Sequence, residues 1–239
     1  MAAGGANAFA IEPLGETCLL LRFGDGVDAA LNARVHAAAE LLRRSELPGL
    51  VDLVPAYATL ALHYDALFWS GRRGVLPWRH LADALGALFA APPPLAGDAA
   101  SVEIPVRYGG ADGPDLDALA RHCGLAPDEL VARHAGGDYR VAMLGFAPGF
   151  PYLLGLDPAL HAPRRATPRT RVPRGSVAIG GAQTGIYPAE LPGGWHLIGR
   201  TSLTLFDLAR DPPALLAPGD RVRFRAVGAD ELAAHAPAR

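Results

Sequence analysis

GFAPGFPYLLGLDPALHAPRRATPRTRVPRGSVAIGGAQTGIYPAELPGGWHLIGR, residues 145–200, is the stretch whose reading decides the fold. It holds 10 Gly and 8 Pro in 56 residues, against 28 Gly and 22 Pro in the 239 of the whole chain. Punctuation at that density usually marks a linker or a disordered run. Here Phe146, Phe150, Tyr152, Tyr187 and Trp195 are spread through it, and aliphatic pieces such as 177–179 and 197–198 separate the turns. Aromatics and short β-type runs between fixed Gly and Pro describe a compact surface of shaped turns, the usual seat of binding groups on a rigid scaffold. Arg164, Arg165, Arg169, Arg171, Arg174 and Arg200 face only Asp157 and Glu190 within the stretch, so it reads as a locally cationic, aromatic-lined site.

Outward from this stretch the pattern continues. Residues 102–108, 140–146, 176–180, 195–201, 203–206 and 221–226 read as short strands at roughly regular spacing, which predicts a β-barrel or sandwich. Short helices are predicted over 115–123 and 127–134, with Asp128 and Glu129 suited to a first turn. The first ninety residues read differently. Strands over 8–13 and 17–23, a helix over 27–44, strands over 51–55 and 59–64, and a helix over 78–89 behind Pro77 predict an antiparallel sheet with helices on one face. The Pro run at 92–94 marks a linker over 91–100, so the chain reads as a small α/β domain over 1–90 and a β-rich domain over 101–239, an α+β protein.

Composition excludes several functions. The net charge of -2 argues against nucleic-acid binding. All 22 cationic residues are Arg, which removes Schiff-base chemistry, a Lys general base and a Lys-bearing phosphate loop. Cys18 and Cys123 are far apart and have no metal-ligand neighbours, so neither a disulfide framework nor a metal site is expected. No leader pattern and no membrane-spanning run is read, which makes the cytoplasm the expected compartment.

The rich stretch leaves alternatives open. Gly180 to Gly185 reads either as a tight turn between strands or as a cradle of backbone N–H groups for an anion. Ser176 reads as the start of a strand, because its surroundings lack the second glycine of a nucleophile elbow. His196 reads as a hydrogen-bonded strand residue and Trp195 as either core or site wall. An Arg fork matches carboxylate or phosphate bidentately, so at least one of the six Arg is expected at a ligand or an interface.

Four motifs carry a resemblance: GFAPGFPYL (145–153), TPR (167–169), RVPRGSVAIGGAQTGIYP (171–188) and PGGWHLIGRTSLTLFD (192–207). With IPVRYGGADGPDLDALARHCGL (104–125) and LLAPGDRVRF (215–224), they resemble the family of 5-oxoprolinase B subunits, also called PxpB, KipI or allophanate hydrolase subunit 1. The resemblance covers nearly all of the second domain; the first matches in layout, with weaker motifs. It implies a cyclophilin-like β-barrel for residues 101–239 and ATP-dependent opening of 5-oxo-L-proline to L-glutamate. It also implies a tightly associated C subunit, an A subunit, and ATP as co-substrate at a site shared with a partner. A KipI-like inhibitor of a sensor histidine kinase and a component of urea or allophanate degradation are the alternatives it implies. On this reading the substrate-binding candidates are Pro148, Gly149, Phe150, Tyr152, Arg165, Arg171, Gln183, Thr184, Tyr187, Trp195 and Arg200. No catalytic residue is assigned. Arg174 departs from the small residue expected in the VPxGS pattern and is read as a variable position.

Overall fold

The computed structural model describes residues 9–71, 75–91, 93 and 101–234. The chain divides into two compact units, Met1–Asp98 and Ala99–Arg239. The linker read over 91–100 lies outside the described residues except at 91 and 93, as does residue 8 of the first predicted strand.

The first unit runs β1 (Ala10–Pro13), β2 (Cys18–Arg22), α1 (Ala29–Ser45), β3 (Leu50–Pro55), β4 (Thr59–Tyr64) and α2 (Pro77–Leu88). The strands form an antiparallel sheet in the order β1-β2-β4-β3. Period-two alternation puts Leu19 and Leu21 opposite Leu62 and Leu60 on one face. Val35, Ala38 and Leu42 of α1 and Leu81 and Leu85 of α2 pack onto that face. Asp28 caps α1 by accepting from the N–H groups of Ala30 and Leu31, both at 2.9 Å. Pro77 opens α2, where a missing N–H removes no helical bond. Both predicted helices are present, within one or two residues at each end.

The second unit contains β5 (Ser101–Tyr108), α3 (Leu116–Cys123), α4 (Pro127–Ala135), β6 (Tyr139–Leu144), β7 (Pro151–Leu154), β8 (Arg169–Val172), β9 (Ser176–Gly180), β10 (Gln183–Ile186), β11 (Leu191–Gly193), β12 (His196–Arg200), β13 (Arg221–Ala226) and α5 (Ala229–Ala234). Seven strands close a barrel in the order β10-β7-β6-β13-β5-β12-β9, and β8 and β11 form a separate two-stranded ribbon. Every neighbouring pair in the barrel is antiparallel except β13 and β5, which run parallel from Arg221↔Ser101 to Ala226↔Val106.

The strand predicted over 203–206 is absent; Phe206 makes only an isolated bridge to Ala214. β7, β8, β10 and β11 were not read from sequence, because each holds only three or four residues and includes Gly or Pro or a run of polar residues. Gly180 to Gly185 proves to be the β9–β10 hairpin. Gly181 donates to Ala162 O at 2.7 Å and accepts from Ala162 N at 3.2 Å, so its backbone is already engaged. Cys18 and Cys123 are free thiols, one in each unit. No helix among the described residues is long and apolar enough to cross a membrane.

Candidate functional site

Strand β9 is buried along its whole length and separates two apolar clusters. Val177 and Ile179 face the main core with Ile104, Val106, Ile198 and Phe224. Ala178 points the other way, into a smaller cluster of Phe150, Val172, Tyr187, Trp195 and Leu197. That second face carries the candidate site.

The site is a cleft of about 210 Å³ lined by Phe146, Phe150, Tyr152, Arg164, Arg165, Pro168, Tyr187, Pro192, Gly193, Gly194 and Trp195. Phe150 is its hub. Its ring centroid lies 4.9 Å from that of Tyr152, 5.2 Å from Tyr187, 5.4 Å from Phe146 and 5.7 Å from Trp195, all tilted or edge-on. Glycines let the rings close up. A Cβ on Gly193 would meet the Tyr187 hydroxyl at 2.1 Å, and one on Gly180 would meet Trp195 at 2.4 Å. Phe146 is 60% exposed and adopts φ 67, a left-handed conformation that costs a non-glycine residue about 1 kcal/mol. The turn that holds it is closed by Ala147 N–H donating to Gly145 O at 2.8 Å, and Phe150 N–H donating to Ala147 O at 3.0 Å fixes the turn that follows.

The Arg side chains are sorted by one acid. Asp115 is buried at the N-terminus of α3. It accepts from Arg165 Nη1 at 3.0 Å, Arg169 Nη1 and Nη2 at 2.8 Å each, and Leu197 N–H at 2.8 Å. Burial alone would push its carboxyl up; the hydrogen bonds from Arg169 and Leu197 and the charges of Arg169 and Arg165 outweigh that and hold it below the usual value. Arg165 N–H also donates to Gly194 O at 2.8 Å, which fixes the backbone beneath the guanidinium. Arg164 has no ion-pair partner among the described residues, and its charge acts on the hydroxyls of Tyr152 and Tyr187. Burial pushes both phenols up, so they stay protonated donors at neutral pH.

Of the residues singled out from sequence, Phe150, Tyr152, Arg165, Tyr187 and Trp195 line the cleft together. The others do not. Thr184 pairs with Ile179 and Leu153 and so shares their face, turned to the main core. Gln183 is half-buried at the start of β10 and lies off the cleft. Arg171 is 78% exposed and paired with Glu190 at 2.6 Å. Arg200 donates to Arg174 O at 2.9 Å and stands 3.9 Å from Asp112. Pro148 is exposed and Gly149 is packed under Phe206, where a Cβ would meet the Phe206 Cβ at 2.8 Å. Those six were read as substrate-binding candidates, and Arg171, Gln183 and Arg200 as lining one cleft with Phe150; strand parity, local pairing and backbone packing set all six outside this cleft. His196 donates through Nε2–H to Pro163 O at 2.9 Å, which makes it a hydrogen-bonded strand residue as read.

Sequence reading counted Arg164 among the six Arg of the cationic stretch but left it out of the binding candidates, and it missed Asp115 and His134. Nothing in the local sequence of Asp115 signals its reach across about fifty positions to Arg165 and Arg169. His134 is fully buried in α4, bonded to Tyr108 Oη through Nδ1 at 2.8 Å and to Thr184 Oγ1 through Nε2 at 2.9 Å. Thr184 in turn donates to Ala178 O at 3.0 Å. That fixes the order of donors: Thr184 accepts from Nε2–H, and Nδ1 accepts from Tyr108. Burial pushes its pKa down to about 3, so His134 is a neutral core residue with both ring nitrogens engaged.

Comparison with known proteins places this geometry. The family described as carboxyltransferase domain, subdomain C and D, matches residues 9–216. The chain is 40% identical to the B subunit of 5-oxoprolinase from Bacillus subtilis over 228 residues, covering 90% of this chain and 92% of that protein. It is 44% identical to the B subunit of 5-oxoprolinase from Escherichia coli O157:H7 over 214 residues, covering 88% and 93%. The crystal structure of TTHA0988 superposes with a TM-score of 0.75 at 45% identity over 88% of this chain, yet this chain spans only 40% of the length of TTHA0988. Similarity on this scale over nearly the whole chain settles the family: the chain belongs to the 5-oxoprolinase B subunits within the carboxyltransferase C/D domains.

Proposed function

We propose that this chain is the B subunit of an ATP-dependent 5-oxoprolinase, which opens 5-oxo-L-proline to L-glutamate, and that it is inactive without its A and C partners. The reading rests on the near full-length similarity to two proteins named as B subunits of 5-oxoprolinase. One observation of the site carries the need for partners. Among the described residues, no carboxylate, imidazole or thiol lines the cleft. It offers aromatic walls and guanidinium donors, but no group able to take a proton from water.

The chemistry needs such a group. A lactam is a poor electrophile, and transfer of the γ-phosphoryl of ATP to its oxygen makes the ring carbon attackable. Water then adds to that carbon, the C–N bond opens as the departing nitrogen takes a proton, and a second water splits the resulting acyl phosphate into carboxylate and phosphate. This chain's contribution is to hold and orient: Asp115 preorganises Arg165, the glycines bring Tyr187 and Trp195 together, and the aromatic walls exclude water. The base and the nucleotide contacts come from a partner.

The test is glutamate release from 5-oxoproline and ATP, measured for the purified chain alone and for the chain with its A and C partners. The expected result is no turnover alone and turnover in the mixture. Robust turnover by the chain alone overturns the shared-site reading, and none in the complete mixture overturns the assignment.

A further inference from the structure

The charge balance of the cleft has a remainder. One buried carboxylate, Asp115, is shared by two guanidiniums, Arg165 and Arg169. One positive charge is left over, and Arg164 adds a second at the cleft wall. The Nε–H of Arg165 is sealed from solvent and has no acceptor. Only its Nη1 is bonded to Asp115, and with Nε closed off the donor left for a ligand is Nη2, which has no acceptor among the described residues. No acid among the lining residues answers these donors.

We infer that the cleft binds the carboxylate of a small ring-bearing acid between Arg164 and Arg165, with the ring against Phe146 and Trp195, and that the nucleotide binds elsewhere. Size decides between a carboxylate and a phosphate chain. The 210 Å³ of the cleft lies below the roughly 300–1,000 Å³ of pockets that take drug-sized ligands. A single-ring amino acid fits such a space, whereas a nucleoside triphosphate needs several times more. The lining suits such an acid: edge-on aromatic walls match a compact ring, and two guanidiniums in the lining match its charge. The naming of that acid as 5-oxoproline rests on the function proposed above; the carboxylate site does not.

The experiment has two arms. In the reconstituted enzyme, KM for 5-oxoproline and KM for ATP are measured for the wild type, Arg164→Gln and Arg165→Gln. KM for 5-oxoproline is expected to rise about tenfold or more in each variant, as loss of a charge-assisted hydrogen bond implies, while KM for ATP stays within about twofold. Arg165→Gln also disturbs Asp115, so thermal unfolding is recorded for both variants, and Arg164→Gln, which breaks no ion pair among the described residues, carries the result if Arg165→Gln unfolds. In the second arm the full chain is titrated calorimetrically with 5-oxoproline and with its uncharged carboxamide. Saturable binding of the acid only, weakened by Arg164→Gln, supports the site even if the mixture shows no turnover, in which case the functional assignment alone fails. A rise in KM for ATP instead, equal binding of acid and carboxamide, or unchanged constants in a folded Arg164→Gln overturns the inference.

Discussion

Asp115 and Arg169 form a two-pronged ion pair, Oδ2 to Nη1 and Oδ1 to Nη2, both at 2.8 Å. The pair ties the start of α3 to the start of β8, and through Leu197 N–H it also holds β12. A buried carboxylate in this position is tolerable only because every lone-pair direction finds a donor.

Replacing Asp115 by Ala leaves two guanidiniums without their anion and the Leu197 N–H without an acceptor. We expect a loss of about 2–4 kcal/mol of stability at neutral pH, read from denaturant midpoints. The carboxyl is held below its usual value in the folded chain, so its contribution is complete above the unfolded pKa and is lost as pH falls through the lower, folded one. The Asp115→Ala deficit should therefore shrink in strong acid. A deficit that does not change down to about pH 2 would show that the ion pairs are not its source.

His134 gives a second pH signature of a different origin. Its pKa falls from 6.5 to about 3 through burial. Below about pH 6.5 the unfolded chain takes up a proton that the folded chain refuses until about pH 3. Its stabilising effect is whole above that window and is lost across it as pH falls, at up to about 1.4 kcal/mol per pH unit. His134→Gln should lower stability at neutral pH and flatten the acid slope by close to one proton. Unfolding by urea at several values between about pH 7 and about pH 4 checks this; an unchanged slope would place the titration elsewhere.

Close approach at Gly180 supplies a steric prediction. A Cβ there would sit 2.4–2.6 Å from three atoms of the Trp195 indole. Because β9 is packed on both faces, the indole must tilt out. Gly180→Ala is expected to cost roughly 1–3 kcal/mol and to change the near-ultraviolet circular dichroism of the aromatic cluster. An unaltered spectrum with unaltered stability would mean that the wall of the cleft is softer than its packing indicates.

The aromatic half of this site was legible because Gly and Pro at fixed intervals constrain where Phe150, Tyr152, Tyr187 and Trp195 can go. The cationic half was not. Arg164, Arg165, Arg169 and Arg171 sit within eight positions and look equivalent as letters. What separates them is Asp115 on a distant helix and Glu190 beside the neighbouring ribbon strand, partners visible only once the chain is folded. Thr184 was misplaced by a parity that sequence hides: in a strand as short as β10, one position decides between cleft and core. In the first unit the strand and helix periods were long enough to read directly, and α1 and α2 start and end within two residues of their predicted bounds.

The parallel seam between β5 and β13 bears on how the second unit is made. Its partners come from opposite ends of that unit; Arg225 reaches Glu103 across 122 positions of chain. Such remote contacts carry a large loop-closure cost and slow folding. During synthesis, β5 has emerged long before β13 exists to cover its edge, and β6 waits for the same strand. Until the last strand arrives, the nascent barrel exposes two open edges that can pair with another chain. Nonsense or frameshift lesions upstream of Arg221 should therefore yield aggregates and not a shortened, partly working protein, and the gene tolerates late truncation only beyond the seam.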